Sequence, residues 1–532
     1  MTTAAAILDT LAGAGVRTAF GLPGVHNLAF WSADGPVEII GTRHEQTTVY
    51  AADGLARATG GLGVALTTTG PGAANAVAAF GEAAACGSPV VLIASDTSTA
   101  LARPGVVRGA LHESADQGAL FAPLAKAVHR PQTAQDAVDA VAAAAAQALQ
   151  WPRGPVYVGV PTDLLSADAE PCEVAAPQRP APDPAAIDAA VELVAGARQV
   201  VVWAGGGVVQ SGAGEAVARL AAHLAAPVVE GWAGRGSEHP WLVGLPPHEP
   251  EVTALIAGAD LLIAVGTALD GPSTMNWRMP LPELRIAINA DPADATTNYP
   301  PTVAIVADAR EAVEALAAAV PARAGDPAHI GALRAAVGDR LASDPDTADA
   351  WRFVSAVAAH DAVVVCDMAI PGYWLAGYAS VPAPRRLQYP VGWGTLGYAL
   401  PASIGPAVAG VGPVLAVCGD GGFMFALGEM AVLAEHELPV TVLLVDDGGY
   451  GMLRFDQTLA GEPHRGVDLG RPDFLALAAA FGIPAARTDL DGLTDALAEG
   501  LAAPGPRLVL LEAALHPPVT VSARWPDLQE AR

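Results

Sequence analysis

A single lysine, Lys126, occurs in 532 residues, and the formal net charge is −27. A balance this acidic argues against binding nucleic acid through its phosphates. It says little about a small anionic substrate, because a few arginines can make a positive site inside an acidic protein. Cysteine is also scarce. Cys86, Cys172, Cys366 and Cys418 stand far apart with no C-x-x-C spacing, which argues against a disulfide framework or a zinc site and leaves them as small core residues. No apolar run approaches the roughly 20 residues of a membrane-spanning helix, and Met1 to Val16 lacks the basic start of a secretion signal. The expectation is a cytoplasmic protein with no membrane partner.

What the chain has is apolar residues in βα alternation. Hydrophobic residues make up 52% of it, enough for several cores, and its length suggests about three or four domains. Two Pro-rich polar stretches, Ser166 to Pro184 and Pro321 to Asp346, read as connectors. They divide the chain into 1–165, 185–320 and 346–532.

The segment Gly419 to Arg454 is the most informative for chemistry. An apolar strand, Val414 to Cys418, delivers Gly419-Asp420-Gly421-Gly422 at its C-terminal end, where open α/β sheets place ligands. A diphosphate needs backbone N–H groups approached without Cβ atoms in the way, and a divalent cation to offset its charge. Gly421 and Gly422 supply the bare backbone and Asp420 a carboxylate. A helical pattern, Ala426 to Glu437, leads to a second strand, Val440 to Val445, ending in Asp446-Asp447-Gly448-Gly449. Taken alone, GDG is no more than a Gly-rich crossover turn with solvent-facing acids. The second acidic cluster, at a matching strand end, favours a ligand site.

This pattern resembles the cofactor signature of the thiamine diphosphate enzymes. The resemblance implies thiamine diphosphate bound near Gly419, Gly421, Gly422, Tyr450 and Gly451. It also implies Mg²⁺ held by Asp420, Asp447 and the Gly449 carbonyl. One departure is plain: Asp446-Asp447 stands where the family usually has Asn-Asn, so the site is more anionic than its relatives.

Further segments extend the resemblance. Ile39 to Glu45 reads as a strand entering a helix, Gln46 to Ala58, and is similar to the step that carries the family's catalytic acid. Glu45 would hydrogen-bond the cofactor's aminopyrimidine, a task suited to largely apolar surroundings that raise its proton affinity. By itself, Glu45 reads equally well as a glutamate favoured by a helix dipole. Thr67 to Asn75 resembles the turn that builds the pyrimidine pocket and subunit contact, and Trp151 to Asp163 the end of a pyrimidine-binding domain. Gly392 to Ala402 resembles the GxLG step, with Leu396 as the apolar wedge under the cofactor and the Gly394 carbonyl as partner of its amino group.

In the middle, Gly205 to Gly207 follows a strand at Gln199 to Trp203 and invites a dinucleotide reading. The spacing is not GxGxxG, and no acidic residue follows at the expected distance after a second strand. This domain sometimes binds FAD or an ADP moiety in the resembled family; here it is expected to be empty.

The resemblance thus implies an α/β chain of three domains, two thiamine diphosphate-binding folds flanking a Rossmann-like central domain. A homodimer is the minimum, because Glu45 would reach a cofactor held by the other subunit, and a homotetramer is common. The implied activity is that of a lyase or carboligase acting on a 2-oxo acid: CO₂ leaves, and the product carbanion adds to a second carbonyl, as in acetolactate synthase. Simple decarboxylation to an aldehyde, benzaldehyde lyase-like chemistry and a catalytically silent cofactor-binding relative stay open. His26 and His112 are candidate proton carriers, though each also reads as a surface or contact histidine. Met452 and Phe455 are candidate pocket walls, and the tail Pro517 to Arg532, with Trp525, is a candidate lid.

Overall fold

Three parallel sheets form in succession in the computed structural model, which describes residues 1–103 and 106–519. The tail from 520 onward, including the expected lid residue Trp525, lies outside them. The first sheet comprises β1 (Thr18–Gly21), β2 (Glu38–Gly41), β3 (Gly63–Thr67), β4 (Val90–Asp96), β5 (Val128–His129) and β6 (Val156–Pro161). The second comprises β7 (Val200–Ala204), β8 (Val228–Glu230), β9 (Leu261–Val265), β10 (Leu284–Asn289) and β11 (Val303–Val306). The third comprises β12 (Val363–Cys366), β13 (Leu387–Gln388), β14 (Val414–Gly419), β15 (Val440–Asp446), β16 (Ala485–Thr488) and β17 (Arg507–Glu512). Central strands such as β3 and β15 are buried along their whole length, as befits parallel strands covered by helices on both faces.

The first sheet runs β2-β1-β3-β4-β6-β5 and the third β13-β12-β14-β15-β17-β16. Counted within each domain, the two orders are the same. The central sheet, β11-β10-β9-β7-β8, has the doubly wound order in which the first strand pairs with both the second and the third. The α/β architecture of two like outer domains around a Rossmann-like centre is thus present.

The outer domains share one core. Helix Glu45–Thr59, which follows β2, lies against helix Ala399–Ala409, which follows β13. Glycines permit this approach: a Cβ on Gly54 would run into the Ala402 carbonyl oxygen, and one on Gly405 into that of Ala51. Beside this contact, Arg57 pairs with the fully buried carboxylates of Asp53 (2.8 Å) and Glu82 (3.3 Å). The Tyr398 hydroxyl, from the third domain, donates to Asp53 (2.8 Å).

Three local expectations need correction. Residues 321–346 are not simply a connector, because Ala328–Ser343 is a helix that buries Ile330, Val337 and Leu341; its sparse apolar positions hid it. The helix expected over 426–437 starts at Asp420 and breaks into a 3₁₀ turn, Leu427–Glu429, before resuming at Met430–Glu435. There Glu429 turns its carboxylate to the Arg43 amide and the Thr47 hydroxyl. An acid does close the second central strand: Glu230, nearly buried, accepts from Ser237. Gly207 packs on Gly266, so the glycines serve close backbone contact there. Among the described residues no helix is long and apolar enough to cross a membrane.

Candidate active site

Three neighbouring strands of the third sheet each lead into an aspartate at the same edge: β12 into Asp367, β14 into Asp420, and β15 into Asp446 and Asp447. A cavity of about 210 Å³ opens there. Its floor is Gly419, Asp420, Gly421, Gly422, Asp447 and Gly449, and its walls include Met368, Ile370, Tyr373, Leu396, Tyr450, Gly451, Met452 and Leu515. The sequence-predicted residues Leu396, Gly419 to Gly422, Asp447, Gly449, Tyr450 and Gly451 therefore meet. Gly394, in a left-handed conformation (φ 69°), sits just behind, packed on the Met368 side chain. Phe455 turns elsewhere, its ring edge-on to His516 at 5.1 Å.

The local backbone explains why glycine recurs. A Cβ on Gly451 would collide with the Asp447 carboxylate, and one on Gly449 (φ 154°) with the Val467 carbonyl oxygen. The Gly449 carbonyl oxygen lies toward Gly421. Asp446 accepts from the Gly448 amide (2.9 Å) and Asp447 from the Gly449 amide (3.2 Å), so each acid shapes its own turn.

Electrostatically, the site calls for a cation. Burial, then the neighbouring Asp447 and Asp446, push the Asp420 carboxyl up to about 7. Burial also raises Asp447, offset by Arg454. Among the described residues that line the cavity there is no lysine, arginine or histidine. Two carboxylates and a carbonyl are hard-oxygen donors of the kind magnesium takes. No group of three or more His, Cys, Asp or Glu among the described residues could hold a metal alone, so diphosphate oxygens and water would have to complete the shell. Bare glycine backbone suits the diphosphate and the apolar wall suits a ring, so these residues fit a magnesium–thiamine diphosphate group.

A second cluster occupies the corresponding edge of the first sheet. Glu45, at the start of its helix, accepts from Asn75 Nδ2 (3.0 Å) and lies beside Gly72 and Thr68. His26 and His112 meet edge to face, ring centroids 5.3 Å apart. His26 Nε2 and His112 Nδ1 are buried without a hydrogen-bond partner among the described residues. Burial, then His112, lowers the His26 pKa. His112 adopts a left-handed backbone (φ 65°) against Gly70. The Thr162 hydroxyl donates to the His26 carbonyl (2.7 Å), and Asn27 ties the same loop to Gly24 and Leu22. The apolar enclosure expected for Glu45 is not found within one chain, where its side chain is only half-buried. No residue of the first domain lines the 210 Å³ cavity among those described.

Sequence reasoning missed Asp367, Met368 and Tyr373. Asp367 is nearly fully buried, and burial pushes its carboxyl up to about 6, partly offset by the amides of Tyr398, Ala399 and Gly397. The one available signal was its position after an apolar strand, Val363 to Cys366, the pattern that precedes Asp420.

Known proteins match along the whole chain. Family models for the thiamine pyrophosphate enzyme match in order: the N-terminal TPP binding domain at residues 1–120, the central domain at 187–316 and the C-terminal TPP binding domain at 367–511. A probable 2-ketoarginine decarboxylase of Pseudomonas aeruginosa is 35% identical, over 96% of this chain and 94% of that protein. A probable acetolactate synthase large subunit of Methanocaldococcus jannaschii is 30% identical, over 91% and 87%. The solved structure of a thiamine diphosphate-dependent 4-hydroxybenzoylformate decarboxylase from Rhodococcus jostii shares the fold, with a TM-score of 0.83 at 24% identity, covering 97% of this chain and 99% of that one. Family models spread over most of the length, and relatives aligned nearly end to end, agree with the two clusters: the chain belongs to the thiamine pyrophosphate enzyme family.

Proposed function

We propose that this protein is a thiamine diphosphate- and Mg²⁺-dependent 2-oxo acid decarboxylase and carboligase, cytoplasmic and active as a homodimer or homotetramer, with domains at 1–165, 185–320 and 346–532. The observation that carries the reading is the glycine cradle set between Asp420 and Asp447 at adjoining strand ends. Asp420, Asp447 and the Gly449 carbonyl would hold the ion, the bare backbone of Gly421 and Gly422 would receive the diphosphate, and Leu396 would supply an apolar support. When bound, the cofactor contributes the carbanion chemistry, which protein groups orient and polarise.

The protein's own part is proton handling and enclosure. Glu45, oriented by Asn75, would hold and release a proton at its carboxyl oxygens. His26 and His112 carry protons to and from the reacting carbon and oxygen. These groups belong to the first domain and the cradle to the third, so a second chain is needed to complete each site. Large apolar side chains exposed around both clusters support this: Val25, Leu28 and Leu111 on one, Trp393, Phe425 and Leu453 on the other.

Two imidazoles at the site favour protonation of the decarboxylated product to an aldehyde. Similarity to an acetolactate synthase at 30% identity favours ligation to a second carbonyl as the alternative fate. The relative named for 2-ketoarginine makes guanidino 2-oxo acids the first substrates to try. With cofactor and Mg²⁺ present, pyruvate, branched-chain, aromatic and guanidino 2-oxo acids are screened for CO₂ release, and products are identified by mass. CO₂ from at least one is expected. Cofactor binding with no CO₂ from any would instead indicate a silent relative.

A further inference from the structure

Asp367 has no task in the scheme above, yet it is the most buried aspartate at the cofactor edge, 1% exposed against 5% for Asp420 and 4% for Asp446. It directly precedes Met368, a cavity wall. Its Oδ1 accepts from the amides of Tyr398 (2.7 Å) and Ala399 (3.3 Å), at the start of helix Ala399–Ala409. Those amides lie two and three residues beyond Leu396. Its Oδ2 has no hydrogen-bond partner among the described residues and is pressed against Gly422, where any Cβ would run into it. The Gly397 amide nitrogen lies within 3.4 Å of the same Cβ position. One carboxylate therefore touches both the loop that presents Leu396 and the loop that cradles diphosphate. An anion that caps a helix start fixes the entering chain, and a wedge residue works only if its supports hold it to a fraction of an ångström.

We propose that Asp367 is a positioning residue that sets Leu396 against the Gly419–Gly422 cradle, and through that spacing the affinity for thiamine diphosphate. The proposal rests on the cofactor reading above. Its test is the thiamine diphosphate dissociation constant, measured by calorimetry at saturating Mg²⁺ for the full-length protein and its variants. A wild-type protein that binds no thiamine diphosphate would refute the cofactor reading itself, before any variant is compared. Given wild-type binding, Asp367→Asn keeps an acceptor for the two amides and should stay within about threefold. Asp367→Leu, similar in size but without an acceptor, should bind about 10- to 100-fold more weakly, the range of a lost charge-assisted hydrogen bond, and kcat should fall while KM for the 2-oxo acid stays unchanged. Because Asp367 acts through Leu396, the double variant Asp367→Leu/Leu396→Ala should bind no more weakly than Leu396→Ala alone. Additive losses, or wild-type affinity in Asp367→Leu, would overturn the proposal. If Asp367→Leu does not fold, Asp367→Ala leaves room for water at the two amides and carries the same comparisons.

Discussion

The two outer domains share a strand order, yet equivalent positions at the working edge bear opposite chemistry. After the first strand of each stand His26 and Asp367. After the second come Glu45 in one and Leu396 in the other. The third strand leads into Gly70-Pro71-Gly72 in the first domain and into Asp420-Gly421-Gly422 in the third; the fourth leads toward His112 in the first domain and into Asp446-Asp447 in the third. A parallel βα sheet thus fixes where side chains converge and leaves open what they do. One edge gathers a carboxyl group and two imidazoles, and the other gathers hard oxygens and bare glycine backbone.

If this division of labour holds, removing a proton carrier should spare ligand binding. Glu45→Gln is expected to lower kcat by about 10²–10⁴-fold, the usual worth of a positioned acid or base, with the cofactor dissociation constant changed by less than about threefold. Stopped turnover together with lost binding would mean that the first domain holds the ligand too, and the comparison would fail.

The domains also share a core, so they should unfold together. Arg57→Met leaves Asp53 and Glu82 buried without their cation, and breaking such a group costs about 3–5 kcal/mol. A single calorimetric transition at lower temperature is expected. Two separated transitions would show the outer domains to be independent.

A subtler difference lies in the buried acids. Asp367 has its carboxyl pushed up to about 6 from an ordinary 3.8, so between these values the folded chain keeps a proton that the unfolded chain releases. The stability this provides is fully present below about pH 4 and lost as pH rises through 6, a change of about 3 kcal/mol. Asp367→Asn lacks that titration. Its stability relative to wild type, followed by urea unfolding, should improve by that amount from pH 4 to pH 7; a flat difference would show that Asp367 titrates normally.

Buried strands in both outer domains mark some site residues in the sequence and leave others unmarked. GDG and the Asp446-Asp447 turn were legible because β14 and β15 are unbroken buried runs, so their ends stand out in the chain. Glu45 was legible as the acid where a short strand enters a helix. Asp367 was not, because the amides it grips lie some thirty residues on and nothing local separates it from a turn acid. The break at Leu427–Glu429 was hidden for a like reason: the partners of Glu429 are Arg43 and Thr47, in the other outer domain. Long-range pairing of a single polar side chain leaves no period in the sequence.

The smallest expected effect separates the two histidines. Burial and His112 lower the His26 pKa, so His26 gives up its proton earlier than an ordinary histidine as pH rises. If it is the acid that releases aldehyde, the alkaline fall of that rate reflects this loss. His112→Asn removes the like charge, and asparagine tolerates the left-handed backbone at that position. His26 should then hold its proton to higher pH and the alkaline limb should move upward, with the cofactor dissociation constant unchanged. A limb that stays in place would show that His112 does not set the titration of His26, and a rate lost at every pH would mean that His112 itself carries the proton, making the first domain's edge a one-histidine site.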